Sequence, residues 1–277
     1  MKVTLLGTGS AEGMPGLFCR CAMCERVRAA GGKDIRTRSS SLIDGILKID
    51  FPPDILTQSL RTNLDLRSIA AVLFTHGHDD HFSPGELQYR SKYFVDTPIR
   101  EPLAIFGPRD VIERVRGELD PDLMAFSLHT VAPECAVTVA GYDVYPFAAN
   151  HDHSRMCLNY ILRGPDGASL LYATDTGWYD ERTWSLLKPF RLDGVVVECA
   201  KREEGGYPGH LSIPEVIRMR RMLVDMGVLA PDAPVVGTHF CHLMNLMHHE
   251  LEVMFAGSGV TAGYDGATIE IRPSRRP

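Results

Sequence analysis

A chain of 277 residues, 44% hydrophobic and 23% charged, has ample apolar material for a large core. Its net charge of −6 excludes a nucleic-acid protein that relies on a broad basic surface, but not a local basic pocket for a small phosphate ester. No apolar run approaches the roughly 18 residues of a transmembrane helix. The opening "MKVTLLGTGS" has too short an apolar run for a signal peptide, so a cytoplasmic protein without membrane contact is expected.

In chain order, Val3 to Gly7 reads as a buried first strand. The glycine-rich "GTGSAEGMPG" follows, a loop that must lie on the surface or line a site. "SSLIDGILKID" reads as a hairpin about Asp44-Gly45, a dipeptide suited to a type I′ turn. "IAAVLFT" (69–75) is a continuous apolar run, as expected of a strand buried on both faces. "SPGELQYRSKYF" is expected to be helical, with Ser83 as N-cap and Glu86 completing a capping box. Strand-like "PLAIFG", helical "RDVIERVRGEL" and short strands through "YDVYPFAAN" and "LNYILRG" come next. "SLLYATDTG", "LDGVVVECA" and "APVVGTH" are apolar strands, and "LSIPEVIRMRRMLVDMG" is a helix opened by a Ser212–Glu215 capping box. A helix near 245–256 and a second Asp-Gly hairpin, "AGYDGATIEI", close the chain. With no linker or repeat, the pattern predicts one α/β domain over 1–277 with polar chemistry at the C-terminal ends of apolar strands.

"LFTHGHDDHF" concentrates that chemistry, with three histidines and two aspartates in a stretch too polar to bury without partners. In an extended segment His76 and His78 point to one side and can reach one metal ion, while Asp80 and His81 could hold a second. Imidazole and carboxylate suit zinc, manganese or iron. Other strand ends must complete such a site: His151 or His153 in "FAANHDHS", Asp175 in "YATDTG", His239 in "VVGTHFCH" and His210 in "YPGHLSIPE". A lone strand-end histidine is usually a hydrogen-bonding group; the repetition of one arrangement argues otherwise.

This order, His76-x-His78-x-Asp80-His81 and then single His, Asp and His at later strand ends, resembles the metallo-β-lactamase superfamily. The resemblance implies a four-layer αββα sandwich with a dinuclear site along one edge. One ion would take His76, His78 and His151, with His153 in reserve. The other would take Asp80, His81 and His239, with Asp175 bridging.

Cys19-x-Cys21-x-x-Cys24 supplies three thiolates, and a structural zinc wants a fourth ligand. His242 or its neighbour Cys241 could provide it, stapling the loop of about 8–38 to the last core strand. Cys135, Cys157 and Cys199 read as small core residues. The "GTG…G.P…C.C..C" opening together with the Thr-His-x-x-His segment looks like the bacterial phosphoribosyl cyclic-phosphate phosphodiesterase family of phosphonate breakdown. That likeness implies hydrolysis of a small phosphodiester such as a ribose 1,2-cyclic phosphate. It also implies two active-site divalent ions (zinc or manganese), one structural zinc and a homodimer. By the same likeness His210 would be a catalytic non-ligand histidine, with Asp80 beside it among the catalytic residues. "IDFPPD" and "DDHFSPGELQYRSKYF" depart from the family pattern and put the substrate in question.

Arg36, Arg38, Arg155, Lys201 and Arg202 fall in expected loops and are candidates for a second phosphate or sugar. His248 and His249 are expected on an exposed helix face, and His129 to be structural. Two alternatives remain. One is a superfamily phosphodiesterase acting on nucleotides or RNA, although the acidic balance makes a polynucleotide an unsuitable partner. The other is a non-hydrolytic metal-binding protein of pyrroloquinoline quinone biosynthesis, which carries a similar cysteine cluster.

Overall fold

The computed structural model describes residues 1–97 and 101–274. The chain builds β1 (Lys2–Gly7), β2 (Ser40–Ile43), β3 (Leu47–Ile49), β4 (Ala71–Leu73), β5 (Leu103–Gly107) and β6 (Phe126–Thr130) into a first sheet. β7 (Val137–Val139), β8 (Tyr142–Ala148), β9 (Leu158–Arg163), β10 (Ser169–Ala173), β11 (Gly194–Glu198), β12 (Val235–Thr238) and β13 (Val260–Ala262) form the second. β14 (Thr268–Glu270) returns to pair with β1. Among the described residues each sheet has seven strands, antiparallel at one side and parallel at the other.

Three apolar layers explain the stacking. Val3, Ile43, Leu47 and Ile49 meet Val144, Leu162, Leu170 and Val196 between the sheets. Outside the first sheet lie α2 (Ile55–Thr62), α4 (Arg109–Glu118) and the short α3 (Pro84–Leu87) and α5 (Pro121–Met124). Outside the second lie α6 (Glu181–Leu187), α7 (Ile213–Asp225) and α8 (His248–Phe255). This is the expected αββα sandwich of the α/β class. No described helix is long and apolar enough to cross a membrane.

Local chemistry sets the elements. Asp44 and Gly45 both take positive φ, 47° and 76°, as a type I′ turn requires, and β2 pairs with β3 around them. Ser212 accepts from the Glu215 amide, and the Glu215 side chain reciprocates, completing the capping box that opens α7.

Several expectations are corrected. β13 and β14 are not a hairpin: β13 pairs parallel with β12, and β14 pairs with β1 in the other sheet. The Asp265-Gly266 turn is a crossing, and Asp265 instead accepts hydrogen bonds from the Thr8 and Thr37 amides and hydroxyls. The helix after the histidine cluster spans only Pro84–Leu87, and Ser83 makes no capping bond. The stretch 8–38 is not all loop, because α1 (Ala22–Ala30) occupies its centre. His248 is buried, with only His249 exposed, and Cys135 is exposed rather than core.

Candidate active site

The C-terminal ends of β3, β4, β8, β10, β11 and β12 lie on one edge of the sandwich, and the titratable residues stand at those ends or within a few residues of them. Asp50, Asp175 and His239 leave their strands with φ of 57°, 50° and 57°. Non-glycine residues rarely hold this left-handed conformation unless their surroundings impose it, and such residues cluster at functional sites.

Hydrogen bonds on the far side of each ring determine which nitrogen faces inward. His151 Nδ1 lies 3.0 Å from the Gly209 carbonyl, which only accepts, so Nδ1 carries the proton and Nε2 a lone pair. His78 Nε2 donates to Asp152 at 3.1 Å, leaving Nδ1 free. His81 Nδ1 donates to the buried Asp50 carboxylate at 2.7 Å, leaving Nε2 free. Thr75 uses its hydroxyl proton on Asp50, so it accepts from His76 Nδ1 at 3.0 Å. Each ring is therefore fixed with a bare nitrogen toward the crevice, the arrangement in which outer carboxylates and carbonyls orient metal-binding histidines.

Those bare nitrogens are crowded. His76 Nε2 lies 2.8 Å and His151 Nε2 3.2 Å from His78 Nδ1. Lone pairs this close repel unless a cation or proton lies between them. The second group behaves alike: His81 Nε2 is 2.8 Å from Asp175 Oδ2 and 3.2 Å from Asp80 Oδ2, and His239 Nε2 is 3.1 Å from Asp175 Oδ1. Four buried atoms there, His81 Nε2, Asp175 Oδ2 and both His239 nitrogens, have no hydrogen-bond partner. Buried polar atoms left so are costly. Burial opposes charge on His81, yet Asp175, Asp80 and Asp50 hold its ring well above the usual histidine range. The donor chemistry and the orphaned atoms fit a pair of divalent cations.

His153, the reserve choice, is exposed and outside this cluster. His210 stands beside it, its ring 4.9 Å from His151 and 5.4 Å from His239. Its Nδ1 donates to Glu198 Oε1 at 2.8 Å, and Glu198 is fully buried at the end of β11. Burial disfavours a charged His210, but Glu198 outweighs burial and lifts it to about 9.

The edge opens into a cavity of about 980 Å³ lined by both groups, His210, Tyr207, Glu12 and Cys241. Of the five basic candidates, Arg38, Lys201 and Arg202 reach its wall. Arg36 is buried and spends its guanidinium on Thr8 and the Gly263 carbonyl, so it is not a substrate contact. Arg155 is tied to Asp152 and the Gly77 carbonyl. Lys201 Nζ donates to the Gly205 and Tyr207 carbonyls, bracing its own loop. Glu198, Asp50 and Asp152 were not singled out from sequence; the available signal was an acid at the end of an apolar strand, as in "VVVE" and "LKID".

The sequence profile of the beta-lactamase superfamily domain matches residues 46–240, more than half of the chain and most of the site. The chain belongs to this superfamily. Among solved structures, it is similar over 98% of its length to 98% of a diphosphatase from the PhnP family, with a TM-score of 0.75 and 22% identity. It is similar over 98% of its length to the whole of zinc-bound PqqB from Methylobacterium extorquens, with a TM-score of 0.73 and 20% identity. Among curated relatives, an octanoyltransferase of Porphyromonas gingivalis is 26% identical over 96% of this chain and 51% of its own length. The chain spans about half the length of the curated relatives it matches.

Beside this superfamily edge lies the second donor cluster. His242 Nδ1 is 3.8 Å from Cys19 Sγ and 3.6 Å from Cys21 Sγ, and Cys24 Sγ completes the group. Bonds of about 2.0–2.3 Å to a shared zinc place donors at roughly these separations. The sulfurs accept from the backbone amides of Gly16, Cys21 and Cys24, which favours the thiolate form, although burial pushes the Cys24 thiol up to about 11. The Cys24 amide, then His242, draws the Cys21 thiol down to about 6. Cys241 lies outside this group, its thiol donating to Glu12 at 2.8 Å.

Proposed function

We propose that this chain is a metal-dependent phosphodiesterase acting on a small, cyclic phosphodiester of the ribose 1,2-cyclic phosphate kind. His76, His78 and His151 would hold one divalent ion, Asp80, His81 and His239 the other, with Asp175 between them. Zinc or manganese there would ready a water for attack and screen the charge on the phosphate. Cys19, Cys21, Cys24 and His242 would hold a structural zinc.

The chain's own residues supply the rest. Asp50, Asp152, Thr75 and the Gly209 carbonyl keep the four rings in one tautomer, so the site needs little rearrangement on binding. The observation that carries the reading is His210: a histidine held by a buried glutamate, beside the donor cluster and in the same cavity. Its Nδ1 is committed to Glu198, so Nε2 is the atom that would give a proton to the departing oxygen.

The testing experiment is metal analysis of the purified protein, paired with activity on bis(p-nitrophenyl) phosphate and on cyclic ribose phosphates and nucleotides. About three ions per chain and preference for a small cyclic diester are expected. Preference for nucleotides would move the substrate class within the same chemistry. The likeness to PqqB supports a second reading, a non-hydrolytic metal-binding protein of cofactor biosynthesis. No turnover of any activated diester with zinc or manganese present would favour it.

A further inference from the structure

The glycine-rich loop after β1 has no part in the proposed chemistry, yet it forms a wall of the same cavity through Ser10, Ala11 and Glu12. Backbone contacts pin that wall. Gly9 bridges both Arg38 and Phe240, and the Ser10 amide donates to the Phe240 carbonyl at 3.1 Å.

Glu12 is gripped from behind. Its Oε2 accepts from Ser10 Oγ at 2.9 Å and its Oε1 from Cys241 Sγ at 2.8 Å. His242 Nε2 lies 3.4 Å from Oε1. Because His242 turns Nδ1 to the thiols of Cys19 and Cys21, Nε2 is the nitrogen left to carry a proton toward Glu12. Ser10 and Cys241 therefore orient, against the cysteine–histidine staple, a carboxylate that remains 34% exposed on the cavity wall. Arg38, the cation beside this loop, is committed to Asp54 and the Ala11 carbonyl and does not neutralise it.

A carboxylate offers about four acceptor positions and no proton. Two donors, Ser10 Oγ and Cys241 Sγ, are hydrogen-bonded to Glu12 and His242 Nε2 stands nearby, which leaves acceptor capacity toward the cavity. A hydroxyl satisfies it; a second phosphate meets like charge.

We infer that Glu12 is a specificity-determining residue that accepts hydrogen bonds from hydroxyls on the organic group of the diester and disfavours a second anionic group there. This rests on the phosphodiesterase reading above. The test compares p-nitrophenyl glyceryl phosphate with p-nitrophenyl propyl phosphate, which differ only in two hydroxyls. The wild-type protein should favour the glyceryl ester in kcat/KM by about ten-fold, through KM. In Glu12→Ala the ratio should fall to near one; Glu12→Gln, which keeps an oxygen acceptor and the side-chain shape, should lie between. Calorimetric titration with the monoester products, glyceryl phosphate and propyl phosphate, should show the same ratios in Kd. A wild-type ratio near one, or a ten-fold ratio surviving in Glu12→Ala, overturns the inference alone. Turnover of neither ester by the wild-type protein overturns the phosphodiesterase reading and this inference with it.

Discussion

The strand-end cluster gathers its side chains from residues 76–81, 151, 175 and 239, whereas the cysteine cluster takes three of four donors from residues 19–24. The first exists only when both sheets are assembled; His78, His81 and His151 are braced by an acid or carbonyl from elsewhere in the chain, His76 by the neighbouring Thr75 hydroxyl, and His239 by neither. The second is mostly local, braced by its own backbone amides, and needs the fold for His242 alone. His239 and His242, three residues apart, serve the two clusters separately. One cluster should therefore govern reaction and the other the seating of a loop.

The sharpest way to break that contrast is Asp175→Ala. It removes the carboxylate that approaches both His81 and His239. We expect kcat/KM on bis(p-nitrophenyl) phosphate to fall by about 10³-fold, with loss of the active-site ions in metal analysis. Retention of both ions would end the bridging assignment. His210→Ala comes next, with turnover reduced by about 10²-fold and metal content unchanged. Metal loss in that variant would make His210 a ligand instead.

Asp152→Ala probes the bracing. His78 would lose the acceptor that fixes its tautomer, and metal affinity measured by competition with a chelating dye should weaken by about ten-fold. An unchanged affinity would show that the outer acids do not matter. Cys24→Ser probes the other side of the comparison. One ion of three should be lost and Tm should drop by about 5 °C, while the strand-end ions stay. A collapse of both clusters together would show that they are not independent.

Which parts of this were legible in the sequence follows from the same contrast. The His76–His81 run and the cysteine triplet are compact, so spacing alone displays them. His151, Asp175 and His239 were readable because each closes a conspicuous apolar strand. Glu198 and Asp50 close strands too, but an isolated acid carries no signal until folding sets it against a histidine nitrogen. The turn at Asp265-Gly266 was legible as a turn and misleading as a hairpin. Turn chemistry specifies local φ and says nothing of which sheet the next strand joins. Arg36 and His248 look like surface residues in sequence; their burial reflects a mutual contact at 3.0 Å that joins distant segments.

The smallest effect concerns Lys48, which lies behind the strand-end cluster. It is fully buried on β3, where Nζ donates to the carbonyls of Ile49 and Asp50 at the point where the chain turns to present Asp50 to His81. Burial lowers its pKa from 10.5 to about 7, against the pull of the Asp50 carboxylate. In the unfolded chain the amine keeps its proton to the ordinary value, so between those two pH values the unfolded state binds more protons. Stability should then rise with pH from about 7 toward 10.5, by at most about 1.4 kcal/mol per unit. At this chain length that slope corresponds to about 2–4 °C in Tm per unit. The difference in Tm between the wild-type protein and Lys48→Met isolates the effect, because ionisations shared by both chains cancel. The wild type should gain on the variant as pH is raised from 7 to 9. Parallel curves would mean that Lys48 keeps its proton in the folded protein, and that its ammonium is fully satisfied by the two carbonyls and the carboxylate it faces.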